Sequence, residues 1–243
     1  MKLRHTHLSI PVEAAWLDAR LAHAPDVVGL AVLLEQGGSS FSETGSHAIE
    51  SFMQGLGYAT LVVNLLTRYE IERDPDACFN VPQMANRLIG IRDWIEHQPP
   101  LSGLGVGVLA ARTGSAAAIR AAWKAPTRFH ALVCLGGRPD LAGATPLQAL
   151  TTPLCIAIGA SDPYFAMVGQ AFERIRCDKH WQVLEGCDGN LESEAEVAAF
   201  GQIARAWLLR HLPAPMVRTE VLAGDAGAST DDLPPPNGVP TAD

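Results

Sequence analysis

Gly107-Val108-Leu109-Ala110-Ala111-Arg112-Thr113-Gly114-Ser115-Ala116-Ala117-Ala118 is the stretch on which the reading of this chain turns. Its first half is an apolar run without polar alternation, the pattern of a strand buried on both faces. Its second half is rich in alanine, the best helix former. Small residues at Ala110 and Gly114 suit a sharp strand-to-helix turn, and Arg112 stands at the turn itself.

Outward from this stretch the same rhythm repeats. Apolar runs at 28–34, 59–65, 105–110, 131–135, 154–159 and 181–184 predict strands, and helix-period stretches at 46–56, 84–97, 115–123, 165–175 and 192–212 separate them. Strands alternating with helices predict an α/β fold around a mainly parallel, twisted sheet with helices on both faces. Before it, Leu8, Ile10 and Val12 alternate with polar or small residues, which predicts that residues 1–26 add a hairpin to the sheet. Residues 27–212 then form the main domain. After Pro213 the composition turns to Pro, Gly, Asp, Ala and Ser, so 213–243 reads as a tail too polar to order itself alone.

The 243 residues suffice for one large core, and the 48% hydrophobic and 18% charged balance is that of a compact protein. A net charge of -8 without a basic cluster argues against a nucleic-acid partner, because phosphate binding needs grouped Lys and Arg. The five cysteines are scattered, with no C-x-x-C pair, and read as reduced, buried thiols. With no apolar h-region and no membrane-length run, the expected location is cytoplasmic, away from membranes. His5 and His7 share a strand face, yet no third ligand accompanies them, so neither a metal nor another cofactor is expected.

Three stretches together resemble the dienelactone hydrolases of the α/β-hydrolase superfamily. They are Glu35-Gln36-Gly37-Gly38-Ser39-Ser40 with the following strand Ala59-Thr60-Leu61-Val62-Val63-Asn64-Leu65, the elbow stretch quoted above, and Gly136-Gly137-Arg138-Pro139-Asp140-Leu141-Ala142-Gly143. Their order and spacing cover about residues 28 to 210. The resemblance implies the α/β-hydrolase fold, with a serine at the elbow, an acid after a later strand and a histidine after the last one. Here Arg112 holds the first place, Asp162 the second and Gly189 the third. A guanidinium stays protonated and cannot attack a carbonyl, and glycine cannot shuttle a proton. No catalytic residue of the usual triad is therefore expected. The expectation is a non-hydrolytic protein whose pocket takes a small anion, or whose role is binding a protein partner or a second copy of itself. The residues expected to line that pocket are Arg112, Thr113, Glu35, Gly37, Gly38, Ser39 and Asp162. Arg112 is further expected to replace the histidine as the partner of Asp162, because an unpaired buried carboxylate is costly.

The alternative is an enzyme that uses the scaffold differently. It would be an ester or lactone hydrolase with its nucleophile moved to Ser39, Ser40, Ser42 or Ser115, or an acid/base catalyst using Asp162 or Glu35. The plainer reading of Thr113 and Ser115 is a pair of hydroxyls that cap or pack at the helix start. His47 is the best spare base, though a solvent-facing histidine at a helix start explains it as well.

Overall fold

A computed structural model describes residues 2–35, 43–187 and 189–213. The predicted tail beyond Pro213 and the predicted pocket residues Gly37, Gly38 and Ser39 lie outside the described residues, as do Ser40 and Ser42. The eight strands are β1 (Arg4–Val12), β2 (Ala15–His23), β3 (Leu30–Glu35), β4 (Ala59–Asn64), β5 (Val106–Ala111), β6 (Ala131–Leu135), β7 (Leu154–Gly159) and β8 (Lys179–Leu184). They form one sheet in the order β1-β2-β4-β3-β5-β6-β7-β8. All pairings from β4 to β8 are parallel, and only β1 with β2 and β2 with β4 run antiparallel.

The helices are α1 (Glu43–Gly55), α2 (Arg68–Arg73), α3 (Val81–Glu96), α4 (Arg112–Lys124), α5 (Ala144–Ala149), α6 (Phe165–Arg174) and α7 (Glu194–His211). Because successive strand residues point to opposite faces, each central strand feeds two cores. Leu30, Val32 and Leu34 join Leu88, Ile91 and Ile119 of α3 and α4 on one side. Ala31 and Leu33 join Ile49 and Met53 of α1 and Phe200, Ala204 and Leu208 of α7 on the other. Burying each such large aliphatic chain contributes about 1.5–3 kcal/mol, so the two layers clamp the sheet in place and hold the carboxyl ends of β3, β5, β7 and β8 in fixed relation.

The predicted strands all occur, with ends shifted by at most two residues. α2 and α5 fall in stretches where no helix was expected. α2 buries none of its residues, so it leaves no apolar period, and a capping box forms its start: Thr67 Oγ1 accepts from Glu70 N while the Glu70 carboxylate accepts from Thr67 N. Among the described residues no helix is long and apolar enough to cross a membrane.

Candidate functional site

The turn from β5 into α4 is the sharp elbow that its small residues predict. Arg112 sits there at φ 50, in the left-handed region that favours glycine. Its neighbours hold it there. Arg138 N donates to Arg112 O at 2.9 Å. Gly137, itself at φ 88, lies so close that a Cβ on it would come within 2.6 Å of Arg112 N. The third stretch of the resemblance thus serves to pack against the elbow.

Asp162 follows β7. Its Oδ1 accepts from Tyr164 N at 2.8 Å, which fixes the carboxylate in a tight turn. Its Oδ2 points at Gly189: an ideal Cβ on that glycine would lie 3.4 Å away. Asp162 and Gly189 are therefore brought together as the resemblance implies. Gly189 has φ 93, a backbone that side-chain-bearing residues rarely adopt.

The expected pairing of Arg112 with Asp162 is not made, and Arg112 does not pair with Glu35 either. Arg112 is exposed and its Nη2 donates to Asn190 Oδ1 at 3.2 Å; among the described residues no ion pair joins it to either carboxylate. The physical reason is that each acid is engaged elsewhere. Asp162 accepts from a backbone amide, and both oxygens of Glu35 accept from Arg20, at 2.9 Å each. Arg20 lies on β2, facing the same side of the sheet as Glu35, and reaches across β4 to it.

Sequence reasoning missed Arg20. The signal was present in the alternation of β2, where Leu17, Ala19 and Leu21 are buried on one face and leave Arg20 on the other. Arg20 also donates to Glu50 Oε2 at 3.4 Å, and Gln54 Nε2 bridges Glu50 Oε1 and Thr60 Oγ1 at 3.0 and 2.9 Å. Burial alone would pull the Arg20 pKa down, but hydrogen bonds and charges from Glu35 and Glu50 outweigh it and hold the group above its ordinary value. The negative charge of Glu35 is thus balanced by Arg20.

Of the other candidates, Ser115 is fully buried and donates to Gly136 O at 3.2 Å, and Thr113 is buried. The two hydroxyls pack rather than face solvent. His47 is half-exposed, with Nδ1 3.7 Å from Glu50 Oε2. His130 Nδ1 accepts from Val106 N at the amino end of β5, and burial lowers its pKa. His180 lies within β8, not before it as the sequence suggests, and stacks on Trp207. No group of three or more His, Cys, Asp or Glu side chains among the described residues could hold a metal ion. Cys134, Cys155 and Cys187 are buried thiols, and burial pushes Cys134 and Cys155 up to about 12.

No family model matches the chain. Two strains of Mycobacterium tuberculosis carry a protein, provisionally named a phosphoribosyl transferase, that is 31% identical over 188 residues. The match covers 77% of this chain but 42% of those relatives, so the chain spans less than half their length. Among solved structures, a dienelactone hydrolase from Anabaena variabilis superposes with a TM-score of 0.81 at 29% identity, covering 88% of this chain and 100% of that one. The esterase domain of a Rhodothermus marinus protein shares the fold at a TM-score of 0.64 and 15% identity, over 86% of this chain and 99% of its own. A protein from Klebsiella pneumoniae, provisionally named a dienelactone hydrolase, does so at 0.67 and 13%, over 87% and 100%. With its strand order, its elbow and these neighbours, the chain has the α/β-hydrolase fold and stands structurally beside dienelactone hydrolases.

Proposed function

We propose that the chain is a non-hydrolytic α/β-hydrolase-fold protein whose site binds a small carboxylate or phosphate through Arg112. The observation that carries this reading is the elbow itself, which presents an exposed guanidinium where the resemblance expects an attacking oxygen. Asp162 Oδ2 meanwhile faces a glycine instead of an imidazole. With neither nucleophile nor base in those two places, the usual triad has nothing there to take the proton or attack the acyl carbon. A guanidinium that donates through Nη2 to Asn190 but is paired with neither Asp162 nor Glu35 keeps its charge, and planar carboxylates and phosphates match guanidinium donors with two parallel hydrogen bonds.

The alternative with a moved nucleophile is weakened at Ser115, which is buried and committed to a backbone carbonyl. Acid/base work by Glu35 is opposed by the guanidinium that holds both its oxygens. The transferase name of the mycobacterial relatives describes proteins of which more than half lies outside the match, and it is not carried over to this chain.

The test combines a panel of short-chain aryl esters, a serine-directed fluorophosphonate probe, and calorimetric titration with inorganic phosphate and acetate. The expected result is no turnover above background, no labelling, and anion binding that is lost in Arg112→Ala. Ester turnover abolished by a single Ser→Ala substitution would overturn the reading, as would anion binding that Arg112→Ala leaves intact.

A further inference from the structure

Arg112 differs from Arg20, Arg87 and Arg138 in what holds it. Those three donate to carboxylates, of Glu35, Glu70 and Asp140, so each positive charge is cancelled where it stands. Arg112 donates through Nη2 to the neutral carboxamide of Asn190 instead, at 3.2 Å. A neutral acceptor restrains a guanidinium and leaves its charge intact.

The backbone is unusual at both ends of this hydrogen bond. Among the described residues three non-glycine residues have left-handed φ: Glu13 in the turn between β1 and β2, Arg112 at φ 50, and Leu191, which directly follows Asn190, at φ 55. A bulky side chain keeps that conformation only where its surroundings impose it, and such positions gather at working sites. Leu191 is held by burial, at 2% exposure, in the apolar cluster that contains Leu184, Val197 and Phe200. Immediately beyond it, Glu192 N and Ser193 N both donate to Glu196 Oε2, at 2.9 and 3.0 Å. On the other side of Asn190, Gly189 N donates to Cys187 Sγ at 3.2 Å. Asn190 is thus an exposed side chain on a main chain pinned before and after it.

A long guanidinium side chain loses rotamer freedom when an anion captures it, and that loss weakens binding unless the side chain is held beforehand. We propose that Asn190 is a positioning residue of the anion site, holding the Arg112 guanidinium in place without cancelling its charge. This rests on the reading of Arg112 as the anion-binding group. The neutrality of the amide is essential, because an acid in its place would restrain the guanidinium equally well and neutralise it.

Calorimetric titration with inorganic phosphate, on the native protein, Asn190→Ala, Asn190→Asp and Arg112→Ala, tests it. Asn190→Ala should weaken binding about fivefold, as loss of one hydrogen bond does, and Asn190→Asp about tenfold or more, despite keeping an acceptor for Nη2. A merely structural role would give the opposite order, since the isosteric acid disturbs the loop less than alanine. A second measurement needs no ligand: the heteronuclear NOE of the Arg112 Nε–Hε pair, assigned by its disappearance in Arg112→Ala, should be high in the native protein and in Asn190→Asp and fall in Asn190→Ala. An NOE unchanged in Asn190→Ala overturns the proposal, as does phosphate binding that is lost in Arg112→Ala but unaltered in Asn190→Ala or Asn190→Asp; either result leaves the reading of Arg112 standing. A native protein that binds no anion overturns that reading, and this proposal with it.

Discussion

Arg112 adopts a backbone conformation that costs an L-residue about 1–2 kcal/mol and glycine almost nothing. Arg112→Gly is therefore expected to raise stability by on the order of 1 kcal/mol, part of the relief being offset by the entropy glycine brings to the unfolded chain. Urea denaturation checks this, and a midpoint at or below that of the native protein contradicts it. The same variant should lose phosphate binding, so stability and the proposed function pull in opposite directions at one residue. Position 112 was legible in sequence because an elbow is local: a buried strand, a turn of small residues and a helix start follow one another within twelve positions. Asp162 was legible for the same reason. Arg20 was not, since the partner it meets lies fifteen residues away and is reached only once β2, β4 and β3 align. A carboxylate such as Glu35 announces that it needs a cation without announcing which one.

Between elements, two contacts fix how α2 and α3 sit against the sheet. Gly90 of α3 packs on Val12 at the end of β1, and a Cβ there would collide with Val12 Cγ1. Alanine would improve the helix by about 1 kcal/mol in isolation. Gly90→Ala is nevertheless expected to destabilise the protein by about 1–2 kcal/mol, because a buried branched side chain at a strand end has no room to yield. A urea midpoint above that of the native chain would show that propensity wins.

The second contact joins α2 to α3. Buried Arg87 donates to both oxygens of Glu70, at 2.8 and 2.6 Å, and to Leu65 O at 2.8 Å. Hydrogen bonds from Arg87 hold the Glu70 carboxyl down to about 2, well below its ordinary value of 4.5. A depressed acid stabilises the fold fully above its unfolded pKa and loses that contribution as pH falls toward the folded value. The stability difference between the native protein and Glu70→Gln should accordingly be largest near neutral pH and shrink as pH drops below 4.5. A difference that stays constant down to acid unfolding would rule out this linkage. α2 escaped sequence reading because its stability comes from this ion pair and a capping box, neither of which leaves an apolar pattern.

Across the whole molecule, the parallel sheet was the most legible feature, since strands buried on both faces must be written as unbroken apolar runs. The hairpin was legible from its alternation, Leu17, Ala19 and Leu21 being buried on one face while Trp16 and Asp18 on the other are exposed. What the alternation could not reveal is that Arg20 of β2 meets Glu35 of β3, since β4 lies between those two strands in the sheet.

The places held by Arg112, Asp162 and Gly189 come from the ends of β5, β7 and β8, so their relation belongs to the entire sheet. Asp162 still faces residue 189, yet the backbone at 189 is left-handed, where histidine would be strained by about 1–2 kcal/mol. The double variant Arg112→Ser with Gly189→His should therefore remain at background against p-nitrophenyl acetate. Measurable turnover would show that the acid and the elbow alone suffice to orient the new side chains.

The elbow's shape is imposed from outside. Gly137 and the amide of Arg138 clasp the main chain of residue 112 and touch nothing of its side chain that these contacts require. Such a socket displays whatever it is given. Chemistry at the tip can be exchanged by a single codon while the frame that aims it stays put, which makes position 112 the natural point at which to graft a thiol, an acid or a reporter group onto an otherwise unaltered molecule.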